Sequence, residues 1–160
     1  MSRSARPVAN ANTVEVESDS HHPPGYRRRR ARLGPVLGAE MLGATVYELD
    51  AGESVCPYHY EYGNEEWLLV LAGHPTLRTP DGEEQLRPGD AVCFREGPEG
   101  AHKITNRGDG PTRILMLSTM VEPAVALYPD SGKIGAWPPG QLFRQADAVD
   151  YFDGETVGEG

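Results

Sequence analysis

His59, Glu61 and Glu66 fall within eight residues of one another, and His102 follows after a glycine-rich turn. Imidazole and carboxylate are the ligand types that hold a divalent transition metal in a mixed nitrogen and oxygen site. Side chains at i and i+2 of a strand share a face, so His59 and Glu61 can aim at one point. Without a metal, Glu61 and Glu66 would be two carboxylates in one pocket. Like charge then raises one pKa, which suits a general acid and base pair. Glu61 and Tyr60 are therefore the candidate groups for moving a proton, and His59, Glu61, Glu66 and His102 the candidate metal ligands.

Elements that could position these groups are strands. Thr45 to Leu49 is β-branched and aromatic and closes on Asp50-Ala51-Gly52. Trp67 to Ala72 is an apolar run of strand length ended by Gly73, and Pro80-Asp81-Gly82 separates Thr76–Thr79 from Glu83–Leu86 as a hairpin turn. Ala91–Phe94, His102–Thr105 and Arg113–Met120 continue the series, and no stretch of this region has the periodicity of an amphipathic helix. Short strands with frequent turns predict an all-β sandwich or barrel. Trp67, Leu69 and Leu71 should face opposite to Glu66, Leu68 and Val70, and Ile114 to Leu117 is also apolar on both faces. Such strands need a second apolar layer, from a C-terminal extension or a partner subunit, and a homodimer is the expected form.

Composition sets the limits. Gly and Pro make 33 (19 + 14) of the 160 residues, which favours turns over long helices. The net charge of −9 is uneven: residues 1–33 carry seven Arg against three acids, leaving 8 cations against 21 acids in the rest. An acidic body argues against nucleic acid as a partner, since phosphate contacts need clustered cations. No apolar run approaches a membrane span, and no apolar core follows the basic N-terminal residues, so neither a membrane partner nor a secretory signal is expected. Cys56 and Cys93 are too few for a disulfide framework, and a reducing cytoplasm is the default setting, with both thiols read as buried and inert. Residues 1 to about 25, rich in Ser, Asn, Pro and Arg, read as a disordered tail, and Arg27–Arg30 as a solvated lead-in to the first strand.

Two segments carry a family resemblance. Pro57-Tyr58-His59-Tyr60-Glu61-Tyr62-Gly63-Asn64-Glu65-Glu66 through Gly73 resembles the first cupin motif, within residues 52–73. Gly89-Asp90-Ala91-Val92-Cys93-Phe94, followed by Pro98-Glu99-Gly100-Ala101-His102 and Asn106, resembles the second, within residues 89–106. Tyr128-Pro129-Asp130-Ser131-Gly132-Lys133 and Asp150 to Glu155 resemble the tail of a group of small bacterial cupins of uncharacterised function. The resemblance implies a single jelly-roll barrel over 26–125 with a C-terminal extension over 126–160 packed on the barrel or on a partner. It also implies a central divalent metal (Mn, Fe, Ni or Zn) held by His59, the position of Glu61, Glu66 and His102. The chain departs from the pattern at Glu61, where a second histidine is usual. It departs again at Arg95, where a proline often stands, with one residue fewer before His102. Two histidines and two carboxylates make a harder site, suited to Mn or Fe more than to a soft metal.

Two functional classes follow. One is a metal-dependent enzyme acting on a small polar molecule, with isomerase, lyase or oxygenase chemistry on a sugar-like or acid substrate and the oxygenase least favoured. The other is a non-catalytic barrel that binds a small ligand with or without metal. Fold alone does not choose between them.

Overall fold

The structure, a computed structural model, describes residues 7–18, 21–156 and 158. Among these residues thirteen strands form. They are β1 (Glu17–Ser18), β2 (Arg28–Arg32), β3 (Leu42–Leu49), β4 (Tyr60–Tyr62), β5 (Glu66–Ala72), β6 (Thr76–Thr79) and β7 (Gly82–Gln85), with a short helix α1 (Leu33–Leu37) between β2 and β3. The series continues with β8 (Ala91–Phe94), β9 (Lys103–Thr105), β10 (Thr112–Thr119), β11 (Ala124–Tyr128), β12 (Lys133–Trp137) and β13 (Gln141–Arg144). A six-stranded antiparallel sheet runs β1-β2-β3-β10-β5-β8, beside a four-stranded sheet β13-β12-β11-β4 and a three-stranded sheet β7-β6-β9. The architecture is all-β, as the strand pattern predicts. No helix among the described residues is long and apolar enough to cross a membrane.

The core lies where the six-stranded and three-stranded sheets meet. Leu49, Leu68, Val70, Phe94, Ile114 and Met116 from the first pack with Leu77 and Ile104 from the second. Register fixes which side chains point there. Leu68 stands opposite Met116 and Val70 opposite Ile114, so Glu66, two residues before Leu68, is carried on the same inward face. A slip of one residue would turn the whole set outward. Asn106 holds the far end together. Its amide donates to the Leu49 carbonyl (2.9 Å) and to that of Gly110 (2.8 Å), while its oxygen accepts from the Gly108 amide (3.1 Å). These bonds tie down the turn at Gly108-Asp109-Gly110.

The opposite face of β5 and β10 is apolar as well. Trp67 keeps 46% of its surface exposed and Leu42 53%, while Leu69, Leu71, Leu115 and Leu117 are half-buried. Cys93 shares this outer side, paired in register with Trp67, and is exposed. The expectation of a buried thiol is corrected there, because strand parity puts Val92 and Phe94 inward and Cys93 between them.

Residues 7–18 depart from the expected disorder. Arg113 donates from Nε to the Ala11 carbonyl (2.9 Å) and from Nη2 to that of Val14, and its other nitrogen pairs with Glu48 (2.9 Å). A guanidinium with five donors can tie a polar segment to a sheet where composition alone gives no reason for order. The rest of that expected tail includes residues 1–6 and 19–20, which lie outside the described residues. Arg28–Arg30 form the start of β2 rather than a solvated lead-in. Arg29 is held by Glu48 (2.7 Å) and Asp50 (2.9 Å), and Arg28 lies over the Tyr47 ring, 5.2 Å from its centroid.

Residues 124–144 hold β11, β12 and β13, which form one sheet with β4. β11 pairs with β4 so that Ala126 stands opposite Glu61 and Leu127 opposite Tyr60. The C-terminal part of the chain is thereby built into the neighbourhood of the candidate ligands.

Candidate metal centre

His59 and His102 belong to motifs far apart in sequence, and backbone hydrogen bonding joins them. The His59 amide donates to the His102 carbonyl (3.2 Å) and the His102 amide to that of His59 (2.8 Å). This isolated antiparallel bridge sets the two imidazoles side by side, with ring centroids 4.8 Å apart. Each ring is backed by an aromatic. Phe94 stacks on His102 at 3.7 Å and Tyr128 on His59 at 5.8 Å.

The ring orientations are fixed through Nδ1. That of His59 lies 3.0 Å from the Pro57 carbonyl and that of His102 lies 2.9 Å from the Gly100 carbonyl. A carbonyl only accepts, so Nδ1 carries the hydrogen in both rings, and in the neutral imidazole Nε2 is left with its lone pair. Both Nε2 atoms point at the same place. Glu66 Oε2 lies 3.6 Å from His59 Nε2 and 3.4 Å from His102 Nε2, and Glu61 Oε1 lies 3.9 Å from His59 Nε2.

These distances match a shared cation. Ligand bonds of about 2.0–2.2 Å leave neighbouring ligand atoms roughly 3–3.5 Å apart. The candidate ligand atoms of His59, Glu66 and His102 all lie within 4.8 Å of one another. The chemistry of the set matches too. His102 is 1% exposed, and its Nε2 has no hydrogen-bond partner. It faces a carboxylate oxygen, and two acceptors confronting each other in a buried site are unfavourable unless a cation or proton lies between them. The donor set fits a divalent metal held by His59, Glu66 and His102, with Glu61 at the edge.

Electrostatics separate the four groups. Burial disfavours the charged form of His59, but Cys56, with Sγ 3.6 Å from Nδ1, and Glu66 outweigh it and raise the pKa to about 12. Burial, then the charge on His59, lowers His102 to about 4. Burial also opposes ionisation of Glu66, yet the hydrogen bond from His59 and the charge on His102 pull its pKa below the usual carboxylate value. Glu61 moves the other way, raised by burial and then by the charge of Glu66. One carboxylate's pKa is thus pushed down while its neighbour's is pushed up, the split that acid and base chemistry uses.

Tyr60 lies elsewhere. It alternates with Glu61 along β4, and its ring meets Tyr62 edge-on at 5.8 Å. Glu65 is exposed and accepts from the Trp67 indole (3.0 Å). His74 is exposed in its turn. Sequence reasoning missed Phe94 and Tyr128 as the rings behind the imidazoles. It also missed a cavity of about 270 Å³ beside Glu61, walled by Asn64, Met120, Val121, Tyr128 and Trp137 among others. Phe94 had a signal in its inward parity, whereas Tyr128 reaches the site through a strand pairing that no local pattern announces.

The turn before His102 explains how a shortened second motif still delivers the ligand. A Cβ on Gly100 would sit 1.8 Å from the Arg95 carbonyl oxygen, so the loop closes this tightly only with glycine there. Gly100 also supplies the carbonyl that orients His102. Gly100→Ala is expected to destabilise the fold by about 1–3 kcal/mol through overpacking. It should weaken metal affinity by about 10–100-fold, as loss of an orienting partner does. Urea denaturation and metal titration of the same variant would measure both.

Comparisons place this geometry in a family. The cupin domain profile matches residues 45–118, which hold all four candidate ligands. A crystal structure from Acidithiobacillus ferrooxidans, provisionally named a sugar phosphate isomerase, superimposes with a TM-score of 0.81 at 26% identity over 91% of this chain and 96% of its own. A second, named a sugar phosphate isomerase from a cupin superfamily, comes from Silicibacter pomeroyi. It gives 0.78 at 25% identity over 92% and 98%. A predicted oxalate decarboxylase from Thermotoga maritima shares the fold, with a TM-score of 0.57 at 17% identity over 71% and 99%. No curated protein matches the sequence significantly. With both motifs folded onto a single candidate centre and the family profile spanning them, residues 45–118 form a cupin domain.

Proposed function

We propose that this cupin is a metal-dependent enzyme that moves a proton between adjacent carbons of a small hydroxycarbonyl compound, an isomerase-type reaction. The observation that carries the reading is the convergence of the two Nε2 atoms on Glu66, with a second carboxylate of raised pKa beside them. A divalent ion held by His59, Glu66 and His102 would polarise the substrate carbonyl and stabilise negative charge on its oxygen. Glu61, at the boundary between the centre and the cavity, takes the proton from the carbon next to the carbonyl and returns it to the former carbonyl carbon. The proton of the adjacent hydroxyl passes to the former carbonyl oxygen, and the carbonyl moves one carbon along. The elevated pKa of Glu61 suits both of its steps. Tyr128 lines the same cavity. Burial raises its pKa, so its hydroxyl stays protonated and can donate to the oxygen that gains charge. Tyr60, turned toward Tyr62, is not assigned a part in the transfer. The names of the two most similar structures described above agree with this class of reaction, and the apolar outer face of β5 and β10 supports a homodimer.

Protein purified without a histidine tag and loaded with Mn, Fe, Ni or Zn tests the reading. The loaded protein should exchange the proton beside the carbonyl of simple aldoses or ketoses in deuterated water, followed by NMR. Failure to take up metal would sink the metalloenzyme. Sugar binding with no exchange would leave a binding module instead.

A further inference from the structure

The cavity beside the metal centre carries a charge pattern that discriminates among sugars. It is lined by Glu61, Asn64, Ser118, Met120, Val121, Glu122, Ala124, Tyr128 and Trp137. Two of these are carboxylates, and among the described residues no lysine or arginine lines it. The ammonium of Lys133 lies 5.2 Å from the centroid of the Tyr128 ring but outside this lining. A divalent ion at the centre would have its charge cancelled by Glu66 and Glu61, leaving the exposed Glu122 at the rim as net negative charge.

Resting on the metal-dependent reading above, we propose that the cavity takes an unphosphorylated polyhydroxy compound, a free sugar or polyol, and disfavours its phosphate ester. A phosphate dianion needs paired cations to leave water. The donors in this lining are neutral, the Asn64 amide, the Ser118 and Tyr128 hydroxyls and the Trp137 indole, while its charged groups are carboxylates. Sugar hydroxyls suit it. They donate to Glu61 and Glu122, and their C–H faces lie against the Tyr128 and Trp137 rings. A volume of about 270 Å³ is at the small end for ligand sites and matches a monosaccharide. The side chains thus select against the sugar phosphates for which the two structures described above are named.

Trp137 provides a readout independent of turnover. The chain has two tryptophans, and Trp67 is on the outer face. Trp67→Phe therefore leaves Trp137 as the sole indole, and its emission reports the cavity. D-ribose with ribose 5-phosphate, and D-fructose with fructose 6-phosphate, would be titrated into this variant with and without bound Mn. In each pair the free sugar should bind at least about tenfold more tightly, the repulsion expected between like charges a few ångströms apart. Adding Glu122→Lys at the exposed rim should narrow or reverse that preference. Equal or tighter binding of the phosphate esters, or no response of Trp137 to either free sugar, would overturn the assignment. Failure to load any of Mn, Fe, Ni and Zn with the free-sugar preference intact would instead remove the metalloenzyme and leave the cavity assignment standing.

Discussion

His102→Ala should abolish stoichiometric metal binding while leaving the protein folded. The imidazole is one of three groups whose ligand atoms share a point, and the other two cannot close the gap it leaves. Losing a partner that merely orients a ligand costs about 10–100-fold in affinity, and losing the ligand itself should cost more. Stability is a balance of opposing terms. Truncation empties space beside Phe94 and strands the Gly100 carbonyl, each a loss. It also removes a buried Nε2 that has no hydrogen-bond partner, a cost of about 1–3 kcal/mol that the metal-free wild type carries. Elemental analysis should find the variant empty, and added Mn should raise the melting temperature of the wild type alone. The wild-type affinity should also depend on pH with a defined sign. With its pKa raised to about 12, His59 is protonated at neutral pH before metal enters, so binding must expel that proton. Affinity should then fall about tenfold for each unit of pH lost, and calorimetry in two buffers of different ionisation enthalpy should find about one proton released. An unchanged metal content in His102→Ala would refute the centre.

What could be read from the chain, and what could not, divides along the range of the interactions. The strands over Thr76–Thr79 and Ala91–Phe94 have the limits that local pattern predicts, because β-branched and apolar runs bounded by Gly and Pro are decided within a few residues. Parity along β5 also placed Glu66 with Leu68, opposite to Trp67. β4 and β11 were not legible. Tyr60–Tyr62 is three residues long, and its pairing with Ala124–Tyr128 depends on the chain returning from the far side of the six-stranded sheet. Tyr128, Trp137 and Glu122 were therefore invisible as site residues even though Glu61 was not. The short second motif posed the opposite problem. A missing residue before His102 weakened the pattern, yet Gly100 lets the turn tighten against Arg95 and restores the ligand's position. Order in residues 7–18 had no signal either, since it comes from one guanidinium on β10 reaching backbone carbonyls a hundred residues away in sequence.

Glu61→Gln should lower the rate of proton exchange by about 10²–10⁴-fold while the metal stays bound, the range in which a positioned acid or base contributes. The substitution preserves shape and removes only the ability to take up and release a proton. Two further readouts separate that role from a structural one. Burial and the charge of Glu66 raise the pKa of Glu61. The base works deprotonated, so the exchange rate of the wild type should rise with pH through that elevated pKa. In Glu61→Gln the limb should vanish rather than move. The metal-free variant should also be no less stable than the wild type, because amide in place of carboxylate relieves the repulsion with Glu66. If metal content instead collapses as it does in His102→Ala, Glu61 is a fourth ligand. Glu61→His, which places a nitrogen donor at the position where the cupin motif usually has one, should then recover occupancy. Undiminished exchange in Glu61→Gln would exclude it as the base and shift the search to Tyr128, whose ring already stacks on His59 at 5.8 Å.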